Sequence, residues 1–115
     1  ERMQMLRKLF LANPKISVDS WVGLTIDYAK KNGIATIVRG LRPIGDFESE
    51  YQMASMNRKL FPELETVFLM TSGENNFISS SLVKEVYNYG GDIRRFIPEE
   101  IYRFVSKRHK IKNKT

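Results

Sequence analysis

The chain has 115 residues, 42% of them hydrophobic and 28% charged, with a formal charge of +6 at pH 7 and no cysteine. That length supports one core, so residues 1–115 read as a single domain of ordinary globular composition, and the missing thiols exclude disulfide frameworks, thiolate zinc sites and cysteine nucleophiles. No apolar run approaches the roughly 20 residues of a membrane helix, and Glu1-Arg2-Met3-Gln4-Met5 has neither the basic nor the apolar region of a signal peptide. The expectation is a cytoplasmic protein with no membrane partner. Much of the positive charge comes from Lys107, Arg108, Lys110, Lys112 and Lys114 and reads as a solvated tail. A nucleic-acid footprint would be a basic stripe interleaved with aromatics, so the charge argues against a nucleic-acid partner.

Met5, Leu6, Leu9 and Phe10 recur at helical spacing, which predicts an amphipathic helix over Glu1 to Ala12, ended by Asn13-Pro14. Ile16, Val18 and Val22 alternate with Ser17, Asp19 and Ser20, predicting a strand with one exposed face. Ile26 and Ala29 share a helical face with Val22, and Asn32-Gly33 is a C-terminal stop. Ile34, Ala35, Ile37 and Val38 are too uniformly apolar for a sheet with one wet face, so this strand is expected to be covered on both sides. It runs into Arg39-Gly40-Leu41-Arg42, then Pro43-Ile44-Gly45-Asp46. Ligands of open α/β sheets bind at strand carboxyl ends, and two guanidiniums there suit phosphates; surface salt bridges are the alternative.

A helix follows over Asp46 to Phe61, with Phe47, Tyr51, Ala54 and Phe61 as its core stripe and Pro62 as its stop. Glu50 falls on the face of Asp46, where it would bond a ribose, hold a metal or pair with an arginine. Thr66 to Met70 is a further apolar strand, so strand, helix and strand repeat as in a parallel α/β sheet. Ser79-Ser80-Ser81 opens the next helix, which Gly90-Gly91 stops. The triplet at a helix start reads as an anion site; the alternative is that one serine is an N-cap and the others are incidental. A last helix over Pro98 to Lys110 has Glu99 and Glu100 at its start and basic residues at its end, matching the helix dipole. His109, the only histidine, lies far in sequence from both anion sites and is not assigned a catalytic role.

Val38-Arg39-Gly40-Leu41-Arg42, Asp46-Phe47-Glu48, Met56-Asn57-Arg58, Pro62 to Met70 and Phe77 to Val86 together resemble the phosphopantetheine adenylyltransferases of the nucleotidylyltransferase superfamily, in order and at that family's spacing. The resemblance implies a Rossmann-like, doubly wound parallel sheet. It also implies adenylyl transfer from ATP to 4′-phosphopantetheine with Mg2+, giving dephospho-coenzyme A and pyrophosphate, usually in a homo-hexamer. By the same resemblance Gly40, Leu41, Arg42, Glu50, Asn75, Asn76, Phe77, Ile78, Ser79, Ser80 and Ser81 carry ATP, while Thr25, Arg39, Met53 and Asn57 bind phosphopantetheine.

The chain departs from the pattern in two respects. Ser49 stands where many members carry an aromatic residue. The family's opening strand with its Thr-x-Gly-His loop, and a later lysine, have no counterpart here, and no Gly-His pair occurs. The expectation is therefore a sheet incomplete at its N-terminus, a chain without its own catalytic residue, and an activity that belongs to the complete protein. A non-catalytic nucleotide-binding or assembly fragment is the alternative. Without an inner neighbour the first strand should expose apolar edges and the free chain should aggregate.

Overall fold

The computed structural model describes residues 1–43 and 45–112; the side chain of His109 and the basic tail at Lys110, Lys112 and Lys114 lie outside the side chains described. The elements, in order, are α1 (Arg2–Leu9), α2 (Thr25–Lys31), β1 (Thr36–Leu41), α3 (Phe47–Leu60), β2 (Glu65–Met70), a 3-10 turn (Gly73–Asn75), α4 (Ser80–Asn88) and α5 (Glu99–Lys112). They form two compact units, one from Glu1–Ser20 with the chain from Ile78 onward, the other Trp21–Phe77.

The Trp21–Phe77 unit is built on a parallel pair in which Thr36 faces Glu65, Val38 faces Val67 and Leu41 faces Met70. A parallel pair cannot be closed by a hairpin, so the chain crosses over through α3, the partial Rossmann-like α/β arrangement. Gly33 takes φ +64° and ends α2 just before β1, where a side chain would be strained. The core is Ile26 and Ala29 of α2 with Leu64, against which Ile34, Ile37 and Phe61 pack. Lys30 lies over the Phe61 ring at 5.2 Å.

Four expectations are corrected. The stretch from Ile16 to Val22 is not a strand. A strand needs a ladder partner, and among the described residues β1 pairs only with β2. The stretch makes local bonds instead: Ile16 N–H donates to Asn13 O (3.2 Å), Ser20 N–H to Asp19 Oδ1 (2.8 Å) and Trp21 Nε1 to Leu24 O (3.0 Å). Val22, expected beside Ile26 and Ala29, is 98% exposed. Nor is β1 covered on both faces: Ile37 and Leu41 turn inward, while Val38 and, across the ladder, Val67 and Leu69 face outward and are exposed. On α3, Phe47 and Tyr51 stack on each other at 5.9 Å and remain exposed rather than entering the core.

In the other unit α1 packs on α5, and Arg108 pairs with Glu1. Among the described residues of this unit, Ile93 is fully buried. A Cβ at Gly91 would stand 2.5 Å from Val86 Cγ1, so the chain leaving α4 passes that helix closely where only glycine fits.

The exposed apolar face generates a test. Leu69→Lys, on that face, should reduce concentration-dependent light scattering of the chain without lowering its melting temperature. Leu64→Ala, which empties the core, should instead cost about 2–5 kcal/mol and abolish a cooperative melt.

Candidate functional site

The parallel ladder places the carboxyl ends of β1 and β2 side by side. It is continued by Thr71 N–H donating to Leu41 O at 2.9 Å. Thr71 Oγ1 in turn bonds Asn76 Oδ1 at 2.8 Å, which brings Asn76 to the edge where Arg42 leaves the sheet. Gly40 lies in β1 on the outward face, and a Cβ there would meet nothing within 4 Å. A glycine inside a strand packs nothing itself and leaves the backbone open to close approach.

Each of the two arginines is held by a carboxylate from the start of α3. Arg39 Nε donates to Glu50 Oε2 at 2.8 Å and Nη2 to Oε1 at 2.5 Å. Arg42 Nε donates to Asp46 Oδ2 at 2.8 Å, Nη2 to Oδ1 at 3.0 Å, and its backbone N–H also reaches Oδ2 at 3.2 Å. These are side-on, two-bond pairs of the kind that fix a guanidinium's plane. Glu50 is thus paired with an arginine, one of the three roles open to it.

Gly45, just before Asp46, takes φ +84°, a turn conformation that favours glycine. Asp46 occupies the N-cap of α3 but makes no side-chain cap bond. Its carbonyl accepts the Glu50 N–H (3.1 Å) and the Ser49 hydroxyl (3.2 Å). Hydrogen bonds from the Arg42 side chain, and then its backbone N–H, hold the Asp46 carboxyl below its ordinary value, and the Arg39 hydrogen bond does the same to Glu50. Both guanidiniums are raised in return by those bonds.

The remaining residues of the expected site are distributed as follows. Asn75 closes the 3-10 turn, its N–H donating to Ser72 O at 3.0 Å, and Phe77 is exposed. Thr25 opens α2 and is exposed, Met53 is exposed on α3, and Asn57 is half-buried with its carbonyl accepting the Phe61 N–H at 2.8 Å. Ile78 and the serine triplet belong to the other unit. There Ser79 is the N-cap of α4: its hydroxyl accepts the Leu82 N–H at 3.2 Å and lies 3.2 Å from the Ser81 hydroxyl, while Ser80 and Ser81 are exposed. Outside the expected set, Asp92 is lowered to about 2 by hydrogen bonds from the Arg94 side chain and backbone. Among the described residues no three His, Asp or Glu side chains gather as a metal cage.

The residue that sequence reasoning left without a role is Asp46. Its signal was the four-residue Arg-to-Asp interval spanning Gly45.

A cytidylyltransferase-like family model matches residues 1–86. The phosphopantetheine adenylyltransferase of Alkaliphilus metalliredigens is 48% identical over 108 residues, covering 94% of this chain and 69% of that protein. The chain belongs to the phosphopantetheine adenylyltransferase family. A second phosphopantetheine adenylyltransferase, from Carboxydothermus hydrogenoformans, is 50% identical over 101 residues, 88% of this chain and 62% of that protein. A third, from Desulforudis audaxviator, is 47% identical over 105 residues, 91% of this chain and 64% of that protein. The chain thus spans between three-fifths and seven-tenths of the length of these relatives.

The pairing predicts an acid limit. Because the folded Asp46 carboxyl titrates below its ordinary value of 3.8, whatever stability the pair supplies is intact above that pH and is lost as pH falls through the lowered value. In a carboxyl-resolved NMR titration, Asp46 should have its midpoint below 3.8 in the native chain and return toward 3.8 in Arg42→Ala.

Proposed function

We propose that the protein transfers the adenylyl group of ATP to 4′-phosphopantetheine, giving dephospho-coenzyme A and pyrophosphate. The observation that carries this reading is the strand edge at which two oriented guanidiniums stand beside an open glycine, in a chain about half identical to proteins named for that transfer.

In this reading a phosphate oxygen of phosphopantetheine attacks the α-phosphorus of ATP, and the bond to the β-phosphate breaks as pyrophosphate leaves. Such a transfer needs little covalent help from the protein and depends on positioning and charge stabilisation. Gly40, Leu41 and Arg42 take the nucleotide, with Arg42 on the departing β and γ phosphates. Glu50, Asn75, Asn76 and Phe77 complete the nucleotide side within the Trp21–Phe77 unit, and Ile78 and Ser79 to Ser81, of the other unit, are further residues that the resemblance gives to ATP. Arg39 takes the phosphate of phosphopantetheine, with Thr25, Met53 and Asn57 along its pantetheine arm.

Magnesium belongs to the substrate, carried on the nucleotide's phosphates. Asp46 and Glu50 are each engaged by a guanidinium, so phosphate oxygens and water rather than a protein carboxylate cage suit the ion. The reading carries with it a homo-hexamer in the cytoplasm. The exposed Met56 and Leu60 of α3 suit burial against another subunit, and among the described residues no helix is long and apolar enough to cross a membrane.

Incubation with ATP, Mg2+ and 4′-phosphopantetheine should release pyrophosphate; nucleotide binding without release would favour a binding-only role. Arg42→Ala should weaken ATP about 10- to 100-fold and phosphopantetheine little, and Arg39→Ala the reverse, as expected for loss of charged hydrogen bonds. Equal effects of both substitutions on one ligand would refute the division.

A further inference from the structure

The geometry points to Asp46 as a positioning residue that sets the direction of Arg42 toward the nucleotide, an assignment that rests on the nucleotide role given to Arg42 above. An aspartate at a helix N-cap ordinarily turns its carboxylate onto the free N–H groups of the first turn. Asp46 stands at the N-cap of α3 and does not. Both its oxygens go to Arg42, one to Nη2 and the other to Nε and the backbone N–H of the same residue.

That triple hold ties the side chain of Arg42 to its own main chain at the point where β1 ends. Arg39 lacks this second anchor: Glu50 takes its fork alone, and the Arg39 side chain is 55% exposed against 38% for Arg42. An arginine on four free torsions must be ordered when a phosphate arrives. One whose fork is already fixed loses less conformational freedom on binding, and it delivers its charge in one direction.

The test is equilibrium titration of the intact protein with ATP and, separately, with 4′-phosphopantetheine. Asp46→Asn is nearly isosteric and asparagine caps helices as well as aspartate does, so the start of α3 is preserved. It should weaken ATP about tenfold, leave phosphopantetheine within about twofold and leave the melting temperature unchanged. Asp46→Glu, which keeps the charge, should recover part of the loss. In an Arg42→Ala background Asp46→Asn should cost nothing further, because the residue acts only through Arg42.

Unchanged ATP affinity in Asp46→Asn would overturn the assignment. Tighter binding would overturn it too, by making Asp46 a competitor of the phosphate. Equal weakening of both ligands with a lowered melting temperature would reduce Asp46 to a structural role. If Arg42→Ala itself leaves ATP affinity intact, the nucleotide reading of Arg42 fails and takes this inference with it. If Arg42→Ala weakens ATP and Asp46→Asn does not, only the role of Asp46 falls.

Discussion

The parallel register of β1 with β2 is the constraint on which the Trp21–Phe77 unit depends. With Thr36 opposite Glu65 and Leu41 opposite Met70, both strands end at the same edge, and the connection between them must be a crossover helix. That helix, α3, begins immediately beyond the edge. Its first turn therefore delivers Asp46 and Glu50 to the two arginines that leave β1. An antiparallel pairing of the same two strands would separate the ends and leave α3 without a purpose.

At this edge the charges are arranged in opposed pairs rather than as a bare cationic patch. Each guanidinium offers one side to a carboxylate and is thereby oriented, which suits recognition of a phosphate more than a loose pair of cations would. The Arg39–Glu50 pair is exposed on its arginine side and the Arg42–Asp46 pair is half-buried, and pairs this open to solvent add little to folding. Their consequence is directional. The serine triplet at the start of α4 works differently: Ser79 caps the helix through the Leu82 N–H, so its hydroxyl is committed to secondary structure while Ser80 and Ser81 stay exposed.

The sheet has a buried face and a wet one. Ile37 and Leu41 look inward, while Val38, Val67 and Leu69 form an exposed apolar surface. Two strands and the helices on one side are too few to dry both faces, and a small core of Ile26, Ala29 and Leu64 results. The absence of a strand at Ile16 to Val22 has the same origin. Alternating apolar residues favour an extended chain, but only a ladder partner satisfies its backbone, and local bonds win where none is present.

The sequence by itself determined what is local to the chain. Two apolar strands, the stop at Gly33 and the acidic start of α5 follow from side-chain size, backbone freedom and the helix dipole, although β1 begins at Thr36 rather than Ile34 and continues through Arg39 and Gly40 to Leu41, beyond the apolar run at Ile34 to Val38. The family motifs were equally legible, because they are strings of neighbouring residues. What only the tertiary structure decided depends on partners distant along the chain. Arg39 meets Glu50 eleven residues away because the chain folds back between β1 and α3, and which face of the sheet stays wet depends on which helices reach it. The pairing of Arg42 with Asp46 lies between these cases. Its spacing is local, but that this N-cap aspartate turns to the strand end rather than to the helix is visible only in the folded chain.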